Sequence, residues 1–188
     1  MKKNARHTLV ILLIICISIL VGLLTSVIWD IIDKRTHPKD YSDTVEKYAI
    51  EYNIPDYVIY AIIKVESNFD ASASSGEAHG LMQITPGTFE WLTGDDHFGE
   101  HLSTNKVYDP EVNIKYGVYY LKYLLVKFDY NWDTAFAAYN GGEGNVAKWL
   151  EDEKYSDGKG NLTKIPFSET ENYVKKVNAA IDTYKKLY

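Results

Sequence analysis

Leu9 to Trp29 runs without a single charged side chain. At about 1.5 Å per residue a helix over that stretch is about 31 Å long, the thickness of a bilayer's hydrocarbon core. A helix buried in a soluble protein rarely lacks every charge for so long, so the chain divides into this segment and everything after it. A cleavable signal peptide carries a shorter apolar region and a small-residue exit site, whereas this stretch closes on Ser26-Val27-Ile28-Trp29-Asp30. The reading is an uncleaved transmembrane anchor over residues 9–29, with residues 1–8, MKKNARHT, as a basic cytoplasmic tail. Lys2, Lys3 and Arg6 on one side face Lys34, Arg35 and Lys39 on the other, so charge counting leaves the orientation open.

Beyond the anchor, 17 Lys and Arg stand against 26 Asp and Glu, a net charge of −9. Such a domain does not seek nucleic acid or an anionic membrane surface. The chain's one cysteine, Cys16, lies inside the anchor, which excludes an internal disulfide or a cysteine metal site in the soluble part. A composition of 46% hydrophobic and 24% charged residues suits one globular domain.

After a polar linker, residues 30–43, the pattern is helix after helix. Thr44 to Tyr52 is amphipathic, Asn53-Ile54-Pro55 breaks it, and Tyr57 to Ser67 resumes with Val58, Ile59, Ile62, Ile63 and Val65 apolar. Thr85-Pro86 and Asp109-Pro110 each set a capping residue before a proline, which opens a helix because the proline's missing N–H would have been unsatisfied there. Asp109 to Phe128, Trp132 to Tyr139, Asn145 to Leu150 and Ser168 to Leu187 complete the helices, and a small hairpin is expected between residues 68 and 84. Ser168 and Glu171 have the spacing of a capping box at the start of the last helix. The fold class is mainly α.

Four short stretches carry chemistry. Glu66 ends the most apolar helix of the soluble part and precedes a Ser/Gly-rich loop, a place where loss of water raises a carboxyl pKa and makes a general acid. Its bland alternative is a solvated glutamate at a helix C-terminus. Gly80-Leu81-Met82-Gln83 combines a glycine that permits close backbone approach with an amide suited to sugar hydroxyls, although a glutamine bonded to its own loop is the commoner finding. Ala138-Tyr139-Asn140-Gly141-Gly142 ends a tight helix at a glycine turn and offers an aromatic face. Glu169 and Tyr173 lie four apart on the last helix and share a face. His97 and His101 have the spacing of a metal pair, but Gly99 weakens the helix that would align them and no third ligand is evident. A solvated loop is expected there, with no metal and no cofactor.

Taken together, Glu66-Ser67, Ser74, Gly80-Leu81-Met82-Gln83, Ala138-Tyr139-Asn140-Gly141-Gly142 and Glu169-Thr170 with Tyr173-Val174, in this order, resemble the soluble lytic transglycosylase domain of family 1, related to goose-type lysozyme. The resemblance covers residues 44 to 186. The loop between Glu66 and Gly80 is one residue shorter than the common pattern and Glu77 stands where a glycine is usual, which leaves Ser74 or Ser75 to fill the serine position. The resemblance implies a lysozyme-like helical domain over 44–188 with a groove for peptidoglycan glycan strands. It also implies cleavage of the β-1,4 bond between N-acetylmuramic acid and N-acetylglucosamine. On the matched positions Glu66 is the catalytic acid, Ser74 orients it, Met82, Gln83, Tyr139 and Asn140 line the groove, and Glu169 holds sugar with Tyr173 nearby.

Most glycosidases use two carboxylates, and this sequence presents one well-placed acid. The muramic C6 hydroxyl can replace the second as an internal nucleophile, at an effective concentration of roughly 10⁵ M or more. Two other readings stand beside this. A goose-type hydrolase needs a carboxylate to position water, for which Glu77, Asp95 and Asp96 are the candidates. A non-catalytic wall-binding component of a secretion, conjugation or sporulation assembly needs no desolvated acid at all. Because peptidoglycan lies outside the cytoplasmic membrane, either enzymatic reading puts the domain on the extracytoplasmic side of a single-pass anchor.

Overall fold

The computed structural model describes the backbone of residues 2–188 and the side chains of residue 7 and residues 10–188. The described residues fall into two compact units, one up to Pro38 and the other essentially from Lys39 onward. The first is a single helix, α1 (Lys2–Thr36), and over Val10–Thr36 it is long and apolar enough to cross a membrane. It does not stop at Trp29. Residues 30–36 contain no glycine or proline, Asp30 and Lys34 pair at 3.0 Å one turn apart, and Lys34 and Arg35 complement the carbonyl end. The helix ends before Pro38, which disfavours helical backbone at His37. The expected linker over 30–43 is therefore helical for its first half, and Ser42 and Asp43 already belong to the next helix.

The second unit is a helical domain: α2 (Ser42–Tyr52), α3 (Asp56–Glu66), a hairpin of β1 (Ser74–Ser75) and β2 (Ala78–His79), then α4 (Pro86–Thr93). A short 3-10 turn (Thr104–Tyr108), α5 (Pro110–Lys127), α6 (Trp132–Gly141), α7 (Glu143–Glu151) and α8 (Ser168–Leu187) follow. The two starts marked by a cap and a proline form as expected: the Thr85 side chain accepts from Thr88 N and Asp109 from Glu111 N. The hairpin is antiparallel with Ser74 opposite His79, and Gly76 takes a positive φ of 63° in its two-residue turn. Asn53, with φ 52°, closes α2 in the left-handed conformation ahead of Pro55.

The capping box at α8 is not formed. The residue before the helix is Phe167, Ser168 already has helical backbone, and the Glu171 carboxylate pairs with Lys175 at 2.6 Å. Pro166 and Phe167 set the approach of the chain to this helix, so the start falls one residue earlier than the box requires.

In α3 the six consecutive residues Val58 to Ile63 are all buried. A helical stretch that is apolar all round lies inside its domain, and each Val or Ile in it contributes about 1.5–3 kcal/mol of burial. Around it, α5 packs against α2 and α6, and α6 against α7. This arrangement sets the C-terminal end of the innermost helix, where Glu66 stands, among later parts of the chain.

Candidate active site

Glu66 is the last residue of α3 and keeps partial solvent access. Burial nevertheless pushes its carboxyl from an ordinary 4.5 to about 7, with Tyr173 opposing the rise. The partial negative charge at the end of α3 works in the same direction as burial. Two phenols face the acid. The Tyr139 and Tyr173 hydroxyls are pushed well above their ordinary range by desolvation and by the neighbouring Glu66 charge. The buried Tyr173 hydroxyl has no partner in formed hydrogen-bond geometry, yet it lies close enough to Glu66 to temper its pKa. The Tyr139 hydroxyl donates instead to the Met82 carbonyl at 2.8 Å.

The Gly80-Leu81-Met82-Gln83 stretch is therefore part of the site, though chiefly through its backbone. The Met82 side chain is fully buried and lines no open surface. Gln83 is also buried: its Oε1 accepts from Ser75 Oγ at 2.6 Å and its Nε2 donates to Ala73 O and Gly80 O at 3.1 and 2.8 Å. All of these bonds lie within its own loop. Ser67, beside the acid, donates to Leu81 O at 2.8 Å and ties this loop to the end of α3.

The two candidate serines point elsewhere. Ser74 Oγ lies 3.1 Å from His79 Nδ1 and Ser75 bonds Gln83; the influences on the Glu66 carboxyl come from burial and Tyr173. Ser74 and Ser75 thus shape the hairpin in this structure.

Asn140 and Glu169 share an open depression of about 510 Å³ with Gly141, Phe167 and Thr170. A Cβ at Gly141 would stand 2.9 Å from Thr170 Oγ1, so the glycine lets α6 close on α8 there. Tyr173, one turn from Glu169, turns inward to the acid. On the other side of the Asn140-Gly141-Gly142 turn a second depression of about 410 Å³ is lined by Thr88, Trp91, Tyr120 and Glu143. Tyr120 packs on Tyr139 with ring centroids 5.4 Å apart, and Trp91 packs edge-on against Tyr120 and Tyr123. A further depression, about 750 Å³, adjoins Asp56 and Trp132, the first residues of α3 and α6. Glu66 and Tyr139 stand toward the other ends of those helices, so this depression lies away from the acid.

Sequence reasoning passed over Asn113, fully buried in α5, which accepts from Met82 N at 2.7 Å and donates to His79 O and Val107 O. Its only signal was a polar residue among the apolar positions of Val112 to Leu124. His97 also departs from expectation: its ring packs 4.0 Å from Trp91 and its Nδ1 lies 3.0 Å from Tyr119 Oη, so it is only partly exposed. His101 is exposed and lies 2.8 Å from Asp95. Among the described residues no three of His, Cys, Asp or Glu cluster as metal ligands.

Residues 43–161 match the Transglycosylase SLT domain. The chain belongs to this family. It is 36% identical over 163 residues to the soluble lytic murein transglycosylase of Escherichia coli K12, covering 86% of this chain and 25% of that protein. It is 32% identical over 178 residues to membrane-bound lytic murein transglycosylase C of Photorhabdus laumondii, covering 81% of this chain and 48% of that one. Among solved structures, the 70 kDa soluble lytic transglycosylase of Escherichia coli aligns at TM-score 0.74 and 35% identity, over 82% of this chain and 25% of that one. The lytic transglycosylase Slt of Pseudomonas aeruginosa aligns at TM-score 0.70 and 35% identity, over 80% and 24%. The chain thus spans about a quarter of the length of the first of these relatives, and its second unit has the helical fold of SLT domains.

Proposed function

We propose that this SLT-domain chain is a membrane-anchored peptidoglycan lytic transglycosylase with Glu66 as its one general acid and base. The observation that carries the reading is the Glu66 carboxyl, desolvated at the end of the innermost helix and raised to about 7, so that it still holds a proton near neutral pH. The relatives named as lytic murein transglycosylases support the same substrate class.

Protonated Glu66 donates to the glycosidic oxygen between N-acetylmuramic acid and N-acetylglucosamine, and the bond from C1 to that oxygen breaks. The resulting carboxylate then takes the proton of the muramic C6 hydroxyl while O6 closes on C1. The products are an N-acetylglucosamine end and a 1,6-anhydromuramic end, and no water is consumed. The open depressions on either side of Asn140-Gly141-Gly142 suit a glycan strand, with Glu169 and Asn140 as hydrogen-bonding groups on one side and the Trp91 and Tyr120 rings on the other. Glu77, Asp95 and Asp96 are exposed and Asp95 is engaged with His101, which favours the internal hydroxyl over a carboxylate-held water.

α1 is read as a single-pass anchor that holds the domain on the extracytoplasmic side, where the wall lies. Tethering supplies the local concentration that an acidic domain does not gain by attraction to an anionic wall. Mass spectrometry of digested peptidoglycan tests the chemistry: anhydro ends without added water support it, and reducing ends with added water overturn it in favour of hydrolysis. Glu66→Gln should abolish turbidity loss of purified walls and leave wall binding intact. Protease treatment of intact protoplasts tests the topology, since a protected domain would put it in the cytoplasm.

A further inference from the structure

We propose that Asn113 is a positioning residue for Glu66: by holding the turn at residues 80–83 it keeps the Met82 carbonyl on the Tyr139 hydroxyl and so withholds that hydroxyl from the acid. The inference rests on Glu66 being the proton donor of the proposed reaction. It begins with an amide in a fully buried place, which is costly unless its polar atoms are bonded. Here they are: Oδ1 accepts from Met82 N at 2.7 Å, and Nδ2 donates to Val107 O at 2.7 Å and His79 O at 3.0 Å. One side chain thereby joins α5, the 3-10 turn and both ends of the loop that runs from His79 to Met82.

The fit requires Gly80. Its φ of 78° disfavours any other residue, and a Cβ there would stand 2.3 Å from Asn113 Nδ2. With its N–H fixed to Asn113, Met82 presents its carbonyl to Tyr139 at 2.8 Å. A phenol has one proton to donate. Given to a carboxylate, that proton favours the charged form and lowers the carboxyl pKa; given to Met82, it leaves Glu66 without that stabilisation. Tyr139 of α6 and Tyr173 of α8 are the titratable groups that face Glu66, and Tyr173 is not in formed hydrogen-bond geometry. Loosening the 80–83 turn frees Tyr139 to swing to the acid and admits water. Both effects draw the proton off Glu66 before a sugar arrives.

The test is a carboxyl infrared titration of the full-length chain in detergent micelles, each variant differenced against the same variant carrying Glu66→Gln so that the band of Glu66 stands alone. Asn113→Ala is expected to lower the Glu66 midpoint by about one pH unit or more, a tenfold loss of proton affinity. Wall lysis at pH 7 should fall about fivefold or more, with the half-saturating wall concentration within about threefold of the unmodified chain. Asn113→Asp, which when protonated accepts from Met82 N–H and donates to one carbonyl, should give an intermediate midpoint. Val45→Ala, a cavity in the buried face of α2, should leave the midpoint in place. An unmoved midpoint in Asn113→Ala overturns the inference, as does an equal shift in Val45→Ala; if Asn113→Ala does not fold, an unmoved Asn113→Asp midpoint overturns it. If the unmodified chain leaves walls intact while the Asn113 variants still shift the midpoint, the proposed reaction falls and the positioning role stands.

Discussion

Met82 lies so close against Gly117 of α5 that a Cβ added at Gly117 would stand 2.5 Å from Met82 Sδ and 2.8 Å from Met82 Cβ. The sulfur can swing away, but the Met82 Cβ is tied to a backbone whose N–H is held by Asn113 and whose carbonyl holds Tyr139. Gly117→Ala should therefore cost about 1–3 kcal/mol by overpacking and displace the turn beside the acid. Thermal melts and wall-turbidity assays would show both effects together. A variant that melts like the parent and lyses walls at the parent rate would mean that the turn yields without consequence.

The raised Glu66 pKa makes stability depend on pH in a direction opposite to that of most carboxylates. Between its ordinary 4.5 and about 7 the unfolded chain releases the proton at Glu66 and the folded chain keeps it. The folded state binds more protons in that window, so stability is full below 4.5 and declines as pH rises through about 7. At 1.36 kcal/mol per pH unit the loss is about 3 kcal/mol. Glu66→Gln removes the titrating group. It should melt close to the parent at pH 4 and about 5–10 °C higher at pH 8. Wall lysis by the parent should decline above pH 7 as the acid loses its proton.

Gln83 offers a choice between a loop role and a sugar-binding role. Its amide links Ser75, Ala73 and Gly80, so Gln83→Ala would leave buried carbonyls without their donor at a cost of about 1–3 kcal/mol. Stability should fall in thermal melts, and Ser75→Ala should lose a smaller part of the same quantity. If Gln83→Ala instead melts normally and only weakens wall binding, the amide faces sugar in solution rather than its own loop.

At the start of α3, Lys39 Nζ lies 2.9 Å from Asp56 Oδ2 and 4.9 and 5.3 Å from the ring centres of Tyr60 and Tyr188. The pair is partly exposed, so ion pairing and the two aromatic faces together are worth about 1 kcal/mol. Lys39→Met, which keeps most of the stem and loses the charge, should lower the melting temperature by about 2–4 °C. Because Lys39 is remote from Glu66, wall lysis per folded molecule should not change.

The apolar length of α1, the capped proline starts of α4 and α5 and the order of the four motifs could all be read along the chain, because each is carried by contiguous stretches or by their order in the sequence. The local rule failed where a competing local geometry won. The 30–36 segment stays helical because nothing before Pro38 breaks it, and Ser168 does not cap α8 because the Pro166-Phe167 approach brings it into the helix.

Residue types and spacing by themselves determined that this chain carries an apolar helix, a mainly α domain and an acid at position 66, and the ordered motifs added the resemblance to a family. The tertiary structure alone decided that Gln83 bonds within its own loop and that Asn113 holds the Met82 N–H. It also decided that Tyr139 gives its proton to a carbonyl rather than to the acid. Those outcomes depend on which groups from α3, α5, α6 and α8 meet in space. Buried hydrogen bonds are allotted there among partners that lie far apart in the chain, and spacing along the chain does not encode that allotment.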